Sequence, residues 1–529
     1  MNKIKKRHLY LTVYLIKITM ITRLSTFVIV LLSLPIYAQN NNPLADLDIK
    51  TSFYQAIAND IWNYAEMGYQ EHKSSERLKR VLYDENFTIS SGVAGMPTAF
   101  IAEYNNGGPV IAFLGEYDAL PGLSQLAVSI KKSAGKPAGH ACGHHLFGTA
   151  SAAAAISVKN WLIDNNINGT VRFYGCPAEE GGSGKVYLTR AGLFDDVDIA
   201  LHWHPSSINA ANPGAALANK SAKFRFKGVS AHAAGSPEKG RSALDAVESM
   251  NYMVNMMREH IPQDARIHYV ITDGGKAPNV VPDFAEVYYY ARHQNRTTVV
   301  DIFERIKKAA EGAALGTDTS MSFEMIGGTH ELLPNITLQK IMYNNLIKIG
   351  GYQYDDDELN FASNISISLG NISLDTTFSE GIAPYTDNAK AYGSTDVGDV
   401  SFIVPTVGMS AATWVPGTPA HSWQAVAAGG TSIGTKGMMI AAKTLTATAI
   451  DLFSNNKLIL MDKPTDGQVS TCLLAKDAIP KDNSLLISPC DSAVIWNKKM
   501  FSNLLKNQDL DAIIWTFRNN ATVARNPHM

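Results

Sequence analysis

The spacing of apolar residues along this chain changes several times, and each change marks a different kind of element. Phe53, Ile57, Ile61 and Tyr64, followed by Leu78 and Leu82, recur at three- and four-residue steps, so residues 53–82 read as helical. Residues 109–114 (PVIAFL) form an almost unbroken apolar run ending in Gly115-Glu116-Tyr117-Asp118, as a buried strand does. The Ala-rich stretch 148–163 reads as a buried helix, and 170–174 and 198–201 as two further strands. Apolar strands alternating with helices predict an α/β fold: a mostly parallel sheet with helices on both faces, its functional residues at strand ends and in the loops after them.

At Asn219 the period switches. Ala222, Phe224 and Phe226 alternate, and Ala243, Val247, Met250, Val254, Met257 and Ile261 step by three and four along an amphipathic helix. Ile267, Tyr269 and Ile271 alternate, as do Val287, Tyr289 and Ala291; residues 299–313 are helical, and Met321, Phe323 and Met325 alternate again. The order strand, helix, strand, strand, helix, strand predicts a small α+β layer over residues 219–333. It is inserted between two parts of the larger domain, 39–218 and 334–454, and a tail of uncertain packing follows from 455 to 529.

The amino-terminal segment has the order basic, apolar, small, polar. Arg23 precedes FVIVLLSL at 27–34, and Tyr37-Ala38 leads into Gln39-Asn40-Asn41-Asn42. Residues 1–38 are therefore read as a signal peptide cleaved after Ala38, and the mature protein as exported, periplasmic or secreted. An uncleaved anchor is the alternative, although the apolar run is shorter than the roughly 20 residues a span needs. No later stretch is read as long and apolar enough to cross a bilayer, so no membrane partner is expected.

The formal charge of −2 hides an asymmetry. The leader carries Lys3, Lys5, Lys6, Arg7, Lys17 and Arg23 and no acid, so removing these 6 from the 46 basic residues leaves 40 against 48 acidic ones, a net −8. With no basic tract in the remainder, nucleic acid is excluded as a partner class. Four cysteines among 529 residues exclude a dense disulfide framework; Cys472 and Cys490 could pair or remain free thiols.

Five separated segments place metal-ligand and acid-base residue types after a strand or at a Gly-rich turn: GEYDALP (115–121), GHACGHH (139–145), PAEEGG (177–182), LHWHP (201–205) and GTPAHSW (417–423). A lone histidine is more often a hydrogen-bonded structural residue, but five such segments are harder to dismiss. Cys142 and His144, two residues apart among glycines, can turn thiolate and imidazole toward one ion. A nucleophilic Cys142 is the alternative, without an obvious oxyanion arrangement. Neighbouring carboxylates such as Glu179 and Glu180 point in different directions on a turn, so one can bind metal while the other acts as general base; two solvated loop acids are the bland alternative.

GEYDALPG, GHACGHHLFGTA, PAEEGGSGK, GVSAHAA, GGKAPNVVPD, STDVGDVS and GTPAHSWQ together resemble the co-catalytic metallopeptidase and amidohydrolase family of hippurate, indole-acetyl-amino-acid and aminobenzoyl-glutamate hydrolases, and most nearly the aminobenzoyl-glutamate hydrolase B-subunit branch. The resemblance covers about residues 57–449. It implies a zinc-peptidase-like catalytic domain with an inserted ferredoxin-like lid and dimerisation domain. It also implies two divalent ions per chain, with Cys142 bridging and His144, Glu180, His202 and His421 as the remaining ligands. His202 is preferred to His204 because it matches the family's Leu-His with Pro three residues on. Glu179 would be the base, and Asp118 a carboxylate that orients the site. His232 and Asn279 would polarise the scissile carbonyl, in many relatives from the other subunit, and Arg292 would hold the substrate's carboxylate. His145 stands where many relatives have Asp. The plainer alternative for His232 is an ordinary turn residue, and for Arg292 a surface strand charge.

The function so implied is hydrolysis of the amide bond of an N-acyl amino acid, aminobenzoyl conjugates among them, or of a small dipeptide. Zinc is the first choice of metal and manganese the second. A homodimer through the inserted domain is the expected assembly, with the need for a second subunit type left open. A catalytically weak exported binding protein for the same ligands is the alternative, which the Glu179-Glu180 pair argues against, since binding has no need of a base. Histidines with only structural roles would predict a protein that purifies without metal.

Overall fold

The computed structural model describes residues 42–212, 216–387 and 393–454. The leader, the tail, Cys472 and Cys490 lie outside the described residues. The strands are β1 (Thr88–Ser91), β2 (Phe100–Asn105), β3 (Val110–Glu116), β4 (Leu120–Pro121), β5 (Ala138–Gly139), β6 (Thr170–Cys176), β7 (Ile199–Ser206), β8 (Ala218–Lys227), β9 (Arg266–Asp273), β10 (Phe284–His293), β11 (Ser320–Thr329) and β12 (Thr406–Ala412).

The apolar run that opens at Pro109 becomes β3, at the heart of a six-stranded sheet ordered β1-β2-β6-β3-β7-β12. The pairs β6–β3, β3–β7 and β7–β12 are parallel, whereas β1–β2 and β2–β6 are antiparallel. The sheet is therefore mixed. Its parallel centre is the part the apolar runs foretell; β1 and β2 join by a short connection, which needs no crossover helix to mark it in the sequence. Phe113, Phe173, Leu201 and Trp203 from the sheet pack with Leu146, Phe147 and Ile156 of one helix and Met438 and Leu445 of another. Each such side chain contributes about 1.5–3 kcal/mol by leaving water.

The helical reading of 53–82 resolves into two helices, Thr51–Tyr64 and His72–Asp84, parted where Ala65 turns left-handed (φ 46°). Tyr54, Ile57, Ala58 and Ile61 form the buried face, while Phe53 and Tyr64 lie exposed. The helix His144–Asn165 is, contrary to expectation, long and apolar enough to cross a membrane by length and composition. It is a core helix: 83% of its most apolar window is buried inside the protein, beneath the sheet and its neighbouring helices.

The inserted layer has four antiparallel strands ordered β11-β8-β10-β9. Helices Ala243–Met257 and Arg296–Thr317 bury Phe224, Phe226, Val287 and Tyr289 on one face. Their first turns are capped by Ser242 and Asn295, whose side-chain oxygens accept from Asp245 N and Thr298 N. The alternation in 267–271 buries only Ile267. Tyr269 and Ile271 remain exposed because β9 is the sheet edge, and Tyr252 and Met256 on the helix beside it are exposed too.

Candidate active site

The candidate ligand segments gather toward the carboxyl ends of the parallel strands β3, β6, β7 and β12. Asp118 follows β3 and is buried. Its Oδ1 stands 2.8 Å from His144 Nδ1, and its Oδ2 accepts from Glu180 N at 2.8 Å, so one carboxylate ties together two ligand-bearing segments. Cys142 and His144 sit at the start of the long core helix, introduced by Gly143 at φ 78°. A Cβ at Gly143 would fall 2.7 Å from Pro205 Cβ, so only glycine allows this turn to approach β7.

Glu179 and Glu180 follow β6 through Ala178, itself left-handed at φ 56° and held by its N–H to Glu71 Oε1 at 2.8 Å. His421 adopts φ 60° and donates its N–H to Ala141 O at 3.0 Å, which brings the loop after β12 over Cys142. Such left-handed non-glycine residues persist where the surroundings over-determine them, as they do at functional sites.

Among the described residues three groups of ligand atoms result, each with all members within 4.8 Å of one another: Cys142, His144 and His204; Cys142, Glu180 and His421; and Glu116, His144 and Glu179. Cys142 belongs to the first two and His144 to the first and third. His204 Nε2 is 3.4 Å from Cys142 Sγ, and His421 Nε2 is 3.1 Å from Glu180 Oε1.

The buried atoms His144 Nε2, Glu116 Oε2 and Glu180 Oε1 have no aligned hydrogen bond, although His144 Nε2 and Glu116 Oε2 are only 3.1 Å apart. Buried polar atoms left in this state are costly. Their convergence with a thiol fits divalent cations of the zinc type, which take thiolate, imidazole and carboxylate together.

The structure separates the two histidines of LHWHP, of which motif matching prefers His202. His202 and His204 face the same side of β7, opposite Gly408 and Ser410 of β12. Residues two apart on a strand are separated by roughly 6.6 Å, so only one of them reaches a given ion. His204 is the one beside Cys142. The His202 ring lies against Gly408, where a Cβ would fall 2.2 Å from its Nε2, and that buried nitrogen has no partner. Burial, His204 and Lys185 push His202 down to about 3, so it stays neutral.

Charge is distributed unevenly among the acids. Burial first, then Glu116 and Glu180, raise the Glu179 carboxyl well above the usual carboxylate range. Burial opposes ionisation of Glu180, but its contact with His421 prevails and lowers it. Burial likewise opposes charge on His144, yet Cys142, Asp118 and Glu116 raise it strongly.

Beneath the ligands lies a network absent from the sequence reading. Lys185, fully buried, reaches Glu116 Oε1 at 2.5 Å and Asp396 Oδ1 at 2.7 Å. It offsets two acids that would otherwise crowd Glu179 with negative charge. The signals were Glu116 at the end of an apolar strand, Lys185 after GGSG and Asp396 within STDVGDVS. His145 is structural: its Nε2 lies 3.0 Å from Gly429 O, and its ring packs on His140 at 4.9 Å.

A cavity of about 750 Å³ opens over these groups, between the catalytic and inserted layers. Arg292 reaches it from β10, with its Nη1 3.4 Å from Ser394 Oγ, its buried Nε without a partner and its guanidinium 5.2 Å from the Tyr290 ring. Arg292 therefore lines the site and is not a surface strand charge.

His232 and Asn279 are brought together but not to the ligands. Ala233 N donates to Asn279 O at 3.0 Å, and both side chains are exposed outside the cavity lining. Within one chain neither reaches the ligand cluster, because both sit on turns at the solvent side of the inserted layer. His232 Nδ1 accepts from Ala234 N and Gly235 N, which leaves Nε2 free of that turn.

Residues 218–318 match the peptidase dimerisation domain of the M20 class. The B subunit of the p-aminobenzoyl-glutamate hydrolase of Escherichia coli strain K12 is 44% identical over 460 residues, 81% of this chain and 95% of that protein. Among solved structures, an aminobenzoyl-glutamate utilization protein from Klebsiella pneumoniae shares the fold with a TM-score of 0.55 at 19% identity, over 78% of this chain and 98% of that one. A dinuclear metal-binding peptidase of the M20 family from Bacillus subtilis does so with a TM-score of 0.51 at 17% identity, over 77% and 99%.

Proposed function

The chain belongs to the M20 peptidase family, as a metal-dependent amidohydrolase like aminobenzoyl-glutamate hydrolase, and from that premise we propose that it cleaves N-acyl amino acids, with aminobenzoyl-glutamate the first substrate to test. The observation that carries this reading is the convergence of buried ligand-type atoms, Cys142, His144 and His204 in one group and Cys142, Glu180 and His421 in another, each within 4.8 Å.

Cys142, His144, His204, Glu180 and His421 would hold two divalent ions, zinc before manganese. Bound there, such ions lower the pKa of a water they hold and polarise the scissile carbonyl. Glu179 in its carboxylate form would be the general base, moving a proton from the attacking water to the departing nitrogen, and its buried setting raises its proton affinity for that task. Asp118 holds His144 in one ring orientation. Arg292, aimed into the cavity with donors to spare, receives the carboxylate of the leaving amino acid. His232 and Asn279 act on the carbonyl from a second copy, whose inserted layer docks through the exposed β9 edge. The Escherichia coli relative is named as one of two kinds of subunit, which makes a second subunit type the alternative partner. The leader sends the enzyme out of the cytoplasm.

The test measures metal content by elemental analysis and amine release from a panel of N-acyl amino acids, with and without chelator. About two ions per chain and chelator-sensitive release support the proposal. Metal-loaded protein that cleaves none of the panel overturns it.

A further inference from the structure

The two acids that follow β6 are not held alike. Glu180 is fixed twice: its N–H donates to Asp118 Oδ2 at 2.8 Å, and its Oε1 lies 3.1 Å from His421 Nε2. The Glu179 carboxylate has no hydrogen bond among the described residues, and its one ionic contact there, to His144 Nε2, spans 4.0 Å. Its direction therefore comes from the backbone, through the left-handed Ala178 (φ 56°) and the turn that Gly182 N closes on Ala178 O at 2.9 Å.

That turn is gripped from outside the ligand set. At one end Glu71 Oε1 accepts from Ala178 N at 2.8 Å; at the other Tyr69 Oη donates to Gly182 O at 2.6 Å. Gly68 lies so close to Ala178 that a Cβ there would fall 2.9 Å from Ala178 Cβ. One short stretch of chain, residues 68–71, thus meets both ends of the turn 178–182.

The stretch has firm mounts. Glu66 O accepts from Ala119 N, one residue past Asp118, at 2.8 Å, and Glu66 Oε2 accepts from Ser74 N at 2.9 Å in the first turn of helix His72–Asp84. Tyr69 is itself left-handed at φ 62°. Glu71 is fully buried, accepts from Thr98 Oγ1 at 3.0 Å and makes no ion pair among the described residues. Burying an acid without a cation is costly, and strained backbone of this kind collects at functional sites. An apolar side chain of similar length would avoid the cost of the acid but would leave Ala178 N without an acceptor.

We propose that Tyr69 and Glu71 are positioning residues, which clamp the turn 178–182 and thereby aim the Glu179 carboxylate at the ligand cluster. The inference rests on the amidohydrolase reading with Glu179 as base, and adds what holds that base in place. Glu180 keeps its own ties to Asp118 and His421, so loosening the clamp moves the base without releasing the metal ligand.

The test measures kcat, KM and bound metal, with the N-acyl amino acid that the wild type cleaves fastest, in Glu71→Met, Glu71→Gln and Tyr69→Phe, alone and combined with Glu179→Gln. Glu71→Met keeps the length and loses the acceptor. Its kcat should fall by about 10- to 100-fold, as for a misplacement of about 1 Å, with KM and metal content unchanged. Glu71→Gln restores the acceptor and should return kcat to within about threefold of wild type. Tyr69→Phe removes one exposed hydroxyl, which the fold tolerates, and should lose about fivefold in kcat. In the Glu179→Gln background neither Glu71→Met nor Tyr69→Phe should cost more, since the group they aim is gone. Wild-type kcat in Tyr69→Phe or in folded Glu71→Met, Glu71→Gln as slow as Glu71→Met, a loss that follows lost metal, or an equal loss without Glu179 overturns the clamp, while wild-type turnover leaves the amidohydrolase reading standing. No turnover by the wild type overturns both.

Discussion

The carboxylate of Asp118 stands 2.8 Å from Nδ1 of His144, which leaves Nε2 as the ring nitrogen facing Glu116 and the ligand cluster. That contact selects the tautomer and fixes the ring plane, and partners of this kind commonly contribute about 10–100-fold in metal affinity. Asp118→Asn should lower affinity by about that factor, measured by competition with a chromogenic chelator. Unaltered affinity would remove Asp118 from the positioning role.

Glu179 is next to Glu180 in the chain, but its raised proton affinity sets it apart. Glu179→Gln should keep the metal content of the wild type and lose about 100- to 10,000-fold in kcat. Turnover at the wild-type rate would eliminate the general-base assignment.

His204, rather than the His202 that motif matching prefers, is the histidine beside Cys142. His204→Ala should purify with less metal than wild type, whereas His202→Ala should retain it, since His202 packs against Gly408 instead of Cys142. The reverse pattern of metal content would restore His202 as the ligand.

Glu71 couples the site to pH. Burial, then Asp118, raise its carboxyl from 4.5 to about 7, against hydrogen bonds from Ala178 N and Thr98 Oγ1. A carboxyl raised on folding binds its proton more tightly in the folded chain. Its contribution to stability is therefore complete below about 4.5 and is lost as pH rises through about 7. The loss amounts to about 3 kcal/mol, and Glu71→Gln should escape it, growing more stable relative to wild type between about pH 5 and pH 8 in urea unfolding. Parallel pH profiles for the two proteins would contradict this account.

His232 faces solvent in its own chain, so its catalytic use requires a second copy. Mixing inactive His232→Ala with inactive Glu179→Gln, with subunit exchange, should restore activity at about a quarter of the sites: half the dimers are mixed, and one of their two sites is complete. No recovery after verified exchange would show that His232 does not act across subunits.

Much of the fold was legible along the chain. The all-apolar run before Glu116 could only be a strand buried on both faces, and the stepped apolar residues from Ala243 to Met257 could only cover a sheet. The ligand types were legible as well, because thiolate, imidazole and paired carboxylates beside glycines have little other use together. What one dimension could not show was reach. Whether His202 or His204 meets Cys142 depends on how β7 registers with β12 and how closely Gly143 lets the core helix approach Pro205. Lys185 acquired its meaning only when the end of β3 and the segment carrying Asp396 closed around it, since a buried cation declares its partners through space and not through sequence. Local periodicity is written residue by residue; the meeting of distant segments is decided by packing, and the chemistry of this site arises at those meetings.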